Sequence, residues 1–147
     1  MAAGPPEGMP SIIPYLHYDD VAGALEWLAK SFGLAVHLSM PSSDGSIMHA
    51  EMSLGNGLIL LGPAIPEHGV VSPRRLAAVN QTLYVYVDDV DAHCRRARAA
   101  GAKVTKDPVD MFWGDRMYSA LDCEGHHWTF AQHVRDVAPG DMKPPSA

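Results

Sequence analysis

The chain of 147 residues is 47% apolar and 19% charged, a balance that excludes wholesale disorder and supports one or two small hydrophobic cores. Its 11 Lys and Arg stand against 17 Asp and Glu, a formal charge of -6. An acidic chain argues against a nucleic-acid or anionic-membrane partner, because both require a basic face.

Residues 1–10 have neither a basic region nor an apolar run, so they read as a disordered N-terminal segment and not as a signal peptide. Ile12 to Tyr18 is a strand-like apolar run. Asp19-Asp20-Val21 then opens a helical stretch to Phe32 with an Asp as N-cap, and Gly33 suits a left-handed C-terminal residue. Leu34 to Met40 reads as a strand. Ser42-Ser43-Asp44-Gly45 turns the chain into Ile47 to Leu54, and Gly55-Asn56-Gly57 turns it again into Leu58 to Leu61. After a polar, Pro-containing stretch the pattern returns. Leu83 to Val87 is a strand, Asp88-Asp89-Val90 opens a helix to Ala100, and Gly101 ends it. Lys103 to Lys106, Arg116 to Leu121 and, past the turn Asp122-Cys123-Glu124-Gly125, His127 to Val134 are strands.

The two Asp-Asp-Val landmarks lie 69 residues apart, and the pairs Gly33/Gly101 and Gly57/Gly125 each lie 68 apart. Equal offsets at three landmarks predict an α+β chain of two βαβββ modules, residues 11–65 and 81–135, joined by a linker at 66–80 and followed by a flexible tail at 136–147. Each module alone would leave one sheet face open, so the two must pack together or pair with another chain, and a homodimer is expected. Cys94 and Cys123 have no zinc or redox spacing, which reads as reduced thiols in a cytoplasmic protein. The longest apolar stretch, Leu58 to Leu61, is too short to span a membrane.

A tandem βαβββ repeat of this length resembles the vicinal oxygen chelate superfamily of glyoxalase I, extradiol dioxygenases, fosfomycin resistance enzymes and bleomycin-binding proteins. Ile13-Pro14-Tyr15-Leu16, His49-Ala50-Glu51, Phe112-Trp113-Gly114-Asp115-Arg116 and the run from Asp122 through Gly125-His126, Trp128 and Phe130 to His133 are similar to its PhnB-like glyoxalase/bleomycin-resistance branch. Cys123 departs from the Pro usual there. The resemblance implies that the sheets curl into a cleft, and that metal enzymes of the family place one ligand on the first and fourth strand of each module. Counted from the landmarks, those positions fall on Ile13, Leu60 (or a neighbouring Leu), Thr82 and Thr129. None is His or Glu. A divalent metal needs three or four such ligands, so no metal or other cofactor is expected.

Strand alternation then sorts the candidates. Tyr15 and His17 share the face of Ile13, Tyr84 and Tyr86 that of Thr82, and His127 that of Thr129. His49 alternates with Glu51 and Ser53, while Met48, Met52 and Leu54 face away. Leu83, Val85, Val87, Trp128 and Phe130 should pack under the helices. The expected ligand-binding set is Tyr15, His17, His49, Glu51, Tyr84, Tyr86 and His127, with Trp113 and Arg116 at the mouth of the cleft. Such a lining suits a planar small molecule, and it suits solvent or a dimer partner equally.

His49 and Glu51 are the catalytic candidates, either an acid/base pair or a plain polar strand edge. Asp115-Arg116 either clamps a carboxylate or phosphate, or Arg116 braces the turn against Asp115 or Asp122. His37, His68 and His93 read as solvated, His126 as a ring capping turn carbonyls, His133 as peripheral, and Trp27 as core. Met111-Phe112-Trp113 is a lid or a dimer contact. The resulting expectation is a metal-free small-molecule-binding protein that sequesters an aromatic antibiotic or metabolite. The alternatives are a metal-dependent lyase, isomerase or dioxygenase with a displaced site built from His17, His49, Glu51 or His127, and an interaction module with no small ligand.

Overall fold

The computed structural model describes residues 3–146; Met1, Ala2 and Ala147, which belong to the termini expected to be disordered or flexible, lie outside the described residues. The chain divides after Ala77 into two compact units. The first contains β1 (Tyr15–Tyr18), α1 (Val21–Phe32), β2 (Ala35–Pro41), β3 (Ile47–Leu54) and β4 (Gly57–Pro63), in one sheet of order β1-β4-β3-β2. The second contains β5 (Thr82–Tyr86), α2 (Val90–Ala99), β6 (Lys103–Asp110), β7 (Asp115–Leu121) and β8 (His127–His133), in the order β5-β8-β7-β6. Both are the expected βαβββ module. In both sheets the first strand pairs in parallel with the fourth, Tyr15 opposite Leu60 and Tyr84 opposite Thr129. The 69-residue offset of the Asp-Asp-Val landmarks therefore extends to strand register.

The helix ends form for the reasons their sequences suggest. The Asp20 carboxylate accepts from the Gly23 N–H at 2.9 Å and that of Asp89 from Ala92 N–H at 3.0 Å, satisfying donors that the first helical turn leaves unpaired. Gly33 closes α1 at φ 78°, its N–H bonded to the Leu28 carbonyl. Two boundaries differ from expectation by more than two residues, each at a proline. β1 starts at Tyr15 and not Ile12, which is 88% exposed; Pro14 has no N–H to pair and serves the ladder only through its carbonyl, which accepts from Leu60 N–H at 2.9 Å. β6 runs four residues past Lys106 through Pro108, because it is an edge strand and its register slips between Lys106 and Val109. Short 3-10 turns occupy Pro66–His68 and Pro73–Arg75 in the linker and Pro139–Asp141 in the tail.

Each core lies between a helix and one face of its sheet. In the first unit Leu16, Tyr18, Leu28, Phe32, Ala50, Met52 and Leu61 are buried, with Trp27 half-buried and edge-on to Phe32 at 4.8 Å. Met48, on the face of Ala50 and Met52, remains 51% exposed. In the second unit Val90, Cys94, Ala97, Tyr118, Ala120, Trp128 and Phe130 are buried. The Trp128 and Phe130 rings stack within 7° of parallel at 5.8 Å. His93, expected in solvent, belongs to this core. Its Nδ1 shares a 2.6 Å hydrogen bond with the Tyr118 hydroxyl and its ring lies 4.2 Å from Phe130, because α2 presents it on the same side as the buried Val90 and Cys94. Burial pushes the Tyr118 phenol well above its ordinary value, so this hydroxyl keeps its proton.

The turn into β8, expected to be capped by the His126 ring, is held by the Asp122 carboxylate. Its Oδ1 accepts from the N–H groups of Glu124, Gly125 and His126, all at 3.0 Å, and its Oδ2 accepts from Trp128 Nε1 at 3.1 Å. One buried side chain thus shapes the turn and satisfies the only polar group of the buried indole. Asp122→Ala should cost about 3 kcal/mol of unfolding free energy, since it orphans these donors. Urea denaturation checks this, and a loss below about 1 kcal/mol would show that water replaces the carboxylate.

No helix among the described residues is long and apolar enough to cross a membrane.

Candidate functional site

The sheet face opposite each helix carries the polar and aromatic residues, as strand parity requires. In the first unit Leu16 and Tyr18 are buried while Tyr15 and His17 are not; Ala50 and Met52 are buried while His49 and Glu51 are half-exposed. The free face draws Tyr15, His17, His49 and Glu51 together. Tyr15 Oη lies 3.0 Å from His49 Nδ1, and His49 Nε2 lies 3.6 Å from Glu51 Oε1. His17 stacks on the Tyr15 ring at 5.0 Å and donates from Nδ1 to the Pro63 carbonyl at 3.0 Å. His37, expected as a solvated bystander, is exposed but reaches to 4.0 Å from Glu51 Oε2. The Tyr15 ring rests against Gly62, where a Cβ would stand 2.7 Å from Oη.

In the second unit the centre of the free face is Asp115, only 2% exposed. Its Oδ2 accepts from the hydroxyls of Tyr84 at 2.7 Å and Tyr86 at 2.9 Å, and its Oδ1 lies 3.0 Å from His133 Nδ1. Trp113 Nε1 donates to the Tyr84 hydroxyl at 3.3 Å, and His133 Nε2 reaches Asp136 at 2.6 Å. Burial opposes ionisation of Asp115, but the hydrogen bonds from His133, Tyr84 and Tyr86 outweigh it and hold the carboxyl below its ordinary range. Tyr84 is pushed up to about 12, first by burial and then by the bond to Asp115, and Tyr86 is raised chiefly by its own bond to that carboxylate. His133 is raised by Asp136 and Asp115. It is a bridge between two carboxylates and not the peripheral residue expected.

Gly114 makes this arrangement possible. At φ 104° its Cα faces the chain at Arg135, whose carbonyl oxygen would lie 2.1 Å from a Cβ. Its own carbonyl accepts from both Val134 and Arg135 N–H, at 2.9 and 3.1 Å. Only glycine lets the Trp113–Asp115 turn sit this close to the end of β8.

The remaining candidates are placed as follows. Arg116 is engaged by Asp91 at 3.1 Å and Asp110 at 3.2 Å, a brace with different partners from the Asp115 or Asp122 expected. His127 is exposed at the start of β8. The Thr129 hydroxyl is shared with Ser119 at 2.8 Å. Asp115 and His133 were legible but missed as a pair. They are direct cross-strand partners in β7 and β8, and the alternation that placed His127 and Thr129 on the free face extends to His133.

The donor set does not fit the metal centre of the resembled enzymes. Ile13 and Leu60 have no ligating atom, and Thr129 is already bonded. Among the described residues no group of three or more His, Cys, Asp and Glu is arranged to hold a metal ion.

A fold of paired βαβββ modules with this sequence defines a class: the chain belongs to the Glyoxalase/Bleomycin resistance protein/Dioxygenase superfamily, whose model matches residues 14–130. It is 34% identical over 131 residues to the uncharacterized protein Mb0911c of Mycobacterium bovis, a match covering 87% of this chain and 86% of that one. Among solved structures it is similar to TioX from Micromonospora sp. ML1, with a TM-score of 0.68, 31% identity and coverage of 84% of this chain and 98% of TioX. A glyoxalase/bleomycin resistance protein from Streptomyces sp. CB03234, at 20% identity and TM-score 0.62 over 82% of this chain and 97% of that one, shares the fold.

Two predictions follow from the geometry. Because folding raises His133 above its ordinary 6.5, its contribution to stability is complete below that value and is lost as pH rises through the raised one. Asp115, lowered on folding, contributes above the ordinary carboxylate range and loses that contribution only as acid protonates it. The stability gap between the wild type and His133→Ala should therefore shrink as pH rises past 6.5, by urea denaturation in pH steps; a constant or widening gap contradicts the bridge. Gly62→Ala should keep the fold, since the obstructed atoms are the far end of the half-exposed Tyr15 ring, yet break the Tyr15–His49 contact. Histidine NMR would report it as a shift of the His49 resonances with under about 1 kcal/mol change in stability.

Proposed function

We propose that this chain binds a planar aromatic small molecule on its helix-free sheet faces, without the metal centre of its enzyme relatives, and sequesters an antibiotic or metabolite of that kind. The observation that carries this reading is the state of the exposed aromatic rings. Tyr15, Tyr84 and Tyr86 are 44%, 44% and 60% exposed, yet each hydroxyl is held by a neighbour: His49 for the first, Asp115 for the other two. Rings fixed before a ligand arrives lose little freedom on stacking with it, which is how a binding surface gains affinity without catalytic groups. Within the family we read the chain as PhnB-like, from its Trp113-Gly114-Asp115-Arg116 and Gly125-His126-x-Trp128 segments. The working form in this reading is a cytoplasmic homodimer; the exposed Val36, Leu38 and Met40 on edge strand β2 support the dimer.

The Tyr15–His49–Glu51 chain favours a second reading, proton transfer on the bound ligand, with His49 as base and Glu51 steadying the imidazolium. A displaced metal centre has less support, because His49, Glu51 and Tyr15 are directed at one another.

A thermal-shift screen against planar aromatic antibiotics and aromatic acids tests the first reading. A binder at a hundredfold its Kd should add about 2.7 kcal/mol and raise the melting temperature by several degrees, and Tyr15→Ala with Tyr84→Ala should abolish the effect. No stabilisation by any aromatic class would sink the proposal. Stoichiometric zinc, nickel, manganese or iron in protein purified without chelator would overturn its metal-free part.

A further inference from the structure

The Tyr84–Tyr86–Asp115 cluster has a fixed hydrogen-bond polarity, and that polarity defines the kind of ligand it accepts. An ionised carboxylate accepts hydrogen bonds and donates none. Asp115 Oδ2 therefore takes the hydroxyl protons of both Tyr84 and Tyr86, and both O–H vectors point inward. Each phenol oxygen then retains only acceptor capacity. That of Tyr84 is met by Trp113 Nε1 at 3.3 Å. That of Tyr86, on a ring 60% exposed, meets no donor among the described residues. For Tyr86 to donate outward to an anion it would have to withdraw its proton from a carboxylate that is 2% exposed, which carries a desolvation cost.

The charges nearby act in the same direction. Asp115 and Asp136 share His133. The carboxylate beneath the two phenols is therefore the charge that a ligand on these rings meets first. Above it stand four aromatic rings: Tyr84 and Tyr86 edge-to-face at 5.6 Å and 71°, and Phe112 against Trp113 at 4.9 Å and 85°. Aromatic faces backed by negative charge attract cations.

We propose that this cluster selects planar aromatic ligands bearing an outward N–H donor or a positive charge, and rejects anionic aromatics of the same shape. The proposal rests on the aromatic-binding reading above and adds the charge class to it. Its recognition contact is the lone acceptor of Tyr86 Oη, supported by the buried Asp115.

The test is a matched pair of probes, 9-aminoacridine, a planar cation with N–H donors, and acridine-9-carboxylate, an anion of the same ring system. Isothermal titration calorimetry on the wild-type chain should show the amine bound at least tenfold more tightly. Tyr86→Phe keeps the ring and removes the acceptor, so it should weaken the amine roughly tenfold and leave the carboxylate unchanged; near-ultraviolet circular dichroism checks that the variant is folded. Equal or tighter binding of acridine-9-carboxylate would overturn the charge selection while leaving aromatic binding intact. An undiminished preference in folded Tyr86→Phe would overturn the role of the phenol oxygen. Binding of neither acridine would overturn this inference, and the aromatic-binding reading falls with it only where the thermal-shift screen is also blank.

Discussion

Each unit has four strands and one helix, and one helix covers one face of a sheet. The candidate site of this chain follows from that shortfall. Parity along each strand separates residues that pack under the helix from those left outside: Leu16 and Tyr18 from Tyr15 and His17, Ala50 and Met52 from His49 and Glu51, Tyr118 and Ala120 from Asp115 and Ser119. A slip of one residue would exchange the two sets. The register is therefore fixed by the apolar side, and the polar side inherits its geometry. That is how a core made of Trp128, Phe130 and Tyr118 comes to position a carboxylate and two phenols on the opposite face.

The two units use the same frame with different chemistry. Tyr15 and Tyr84 occupy equivalent places in the parallel pairing, opposite Leu60 and Thr129. Each has its hydroxyl held by a side chain from elsewhere in its own unit: His49 on β3 in the first, Asp115 on β7 in the second. His17 and Tyr86 are likewise equivalent, and each ring packs against the tyrosine two residues earlier, stacked in one case and edge-on in the other. The repeated feature is thus an aromatic pair on the first strand with its phenol oxygen anchored. The anchor differs in charge. The first unit uses a histidine backed by Glu51, and the second an ionised, nearly buried aspartate.

The modules, both helices and the free-face sets were legible in the sequence, because all of them are local or periodic. Asp-Asp-Val followed by a helical run and a terminal glycine specifies its own boundaries through capping, and alternation assigns faces without knowledge of partners. What alternation does not supply is which side chains on a face meet. Asp115 and Arg116 are adjacent in sequence, but neighbours on a strand point to opposite faces. Arg116 accordingly turns to Asp91 on α2 and Asp110 on β6, and Asp115 to the tyrosines. His93 was misread for a related reason: a short helix with three arginines looks solvated, while its contact with Tyr118 and Phe130 depends on where the sheet lies beneath it. The β6 extension through Pro108 was hidden because proline is incompatible with an inner strand and only the sheet order shows β6 to be an edge.

The pairing of side chains on the free faces also bears on metal binding. A metal site requires several donors to converge on one point with their lone pairs unspent. Here the donors on the free faces are committed pairwise: Tyr15 with His49, His17 with the Pro63 carbonyl, Asp115 with two phenols and His133, Thr129 with Ser119. Such mutual commitment holds the aromatic rings in place by the chain itself and leaves the acceptor of Tyr86 Oη open. Around Asp115 it also fixes the direction of both phenol protons. A face organised by a metal presents a Lewis acid to whatever approaches; one organised around Asp115 presents oriented phenol oxygens over a negative charge. The apolar side determines the fold, so the chemistry of the polar side is free to diverge.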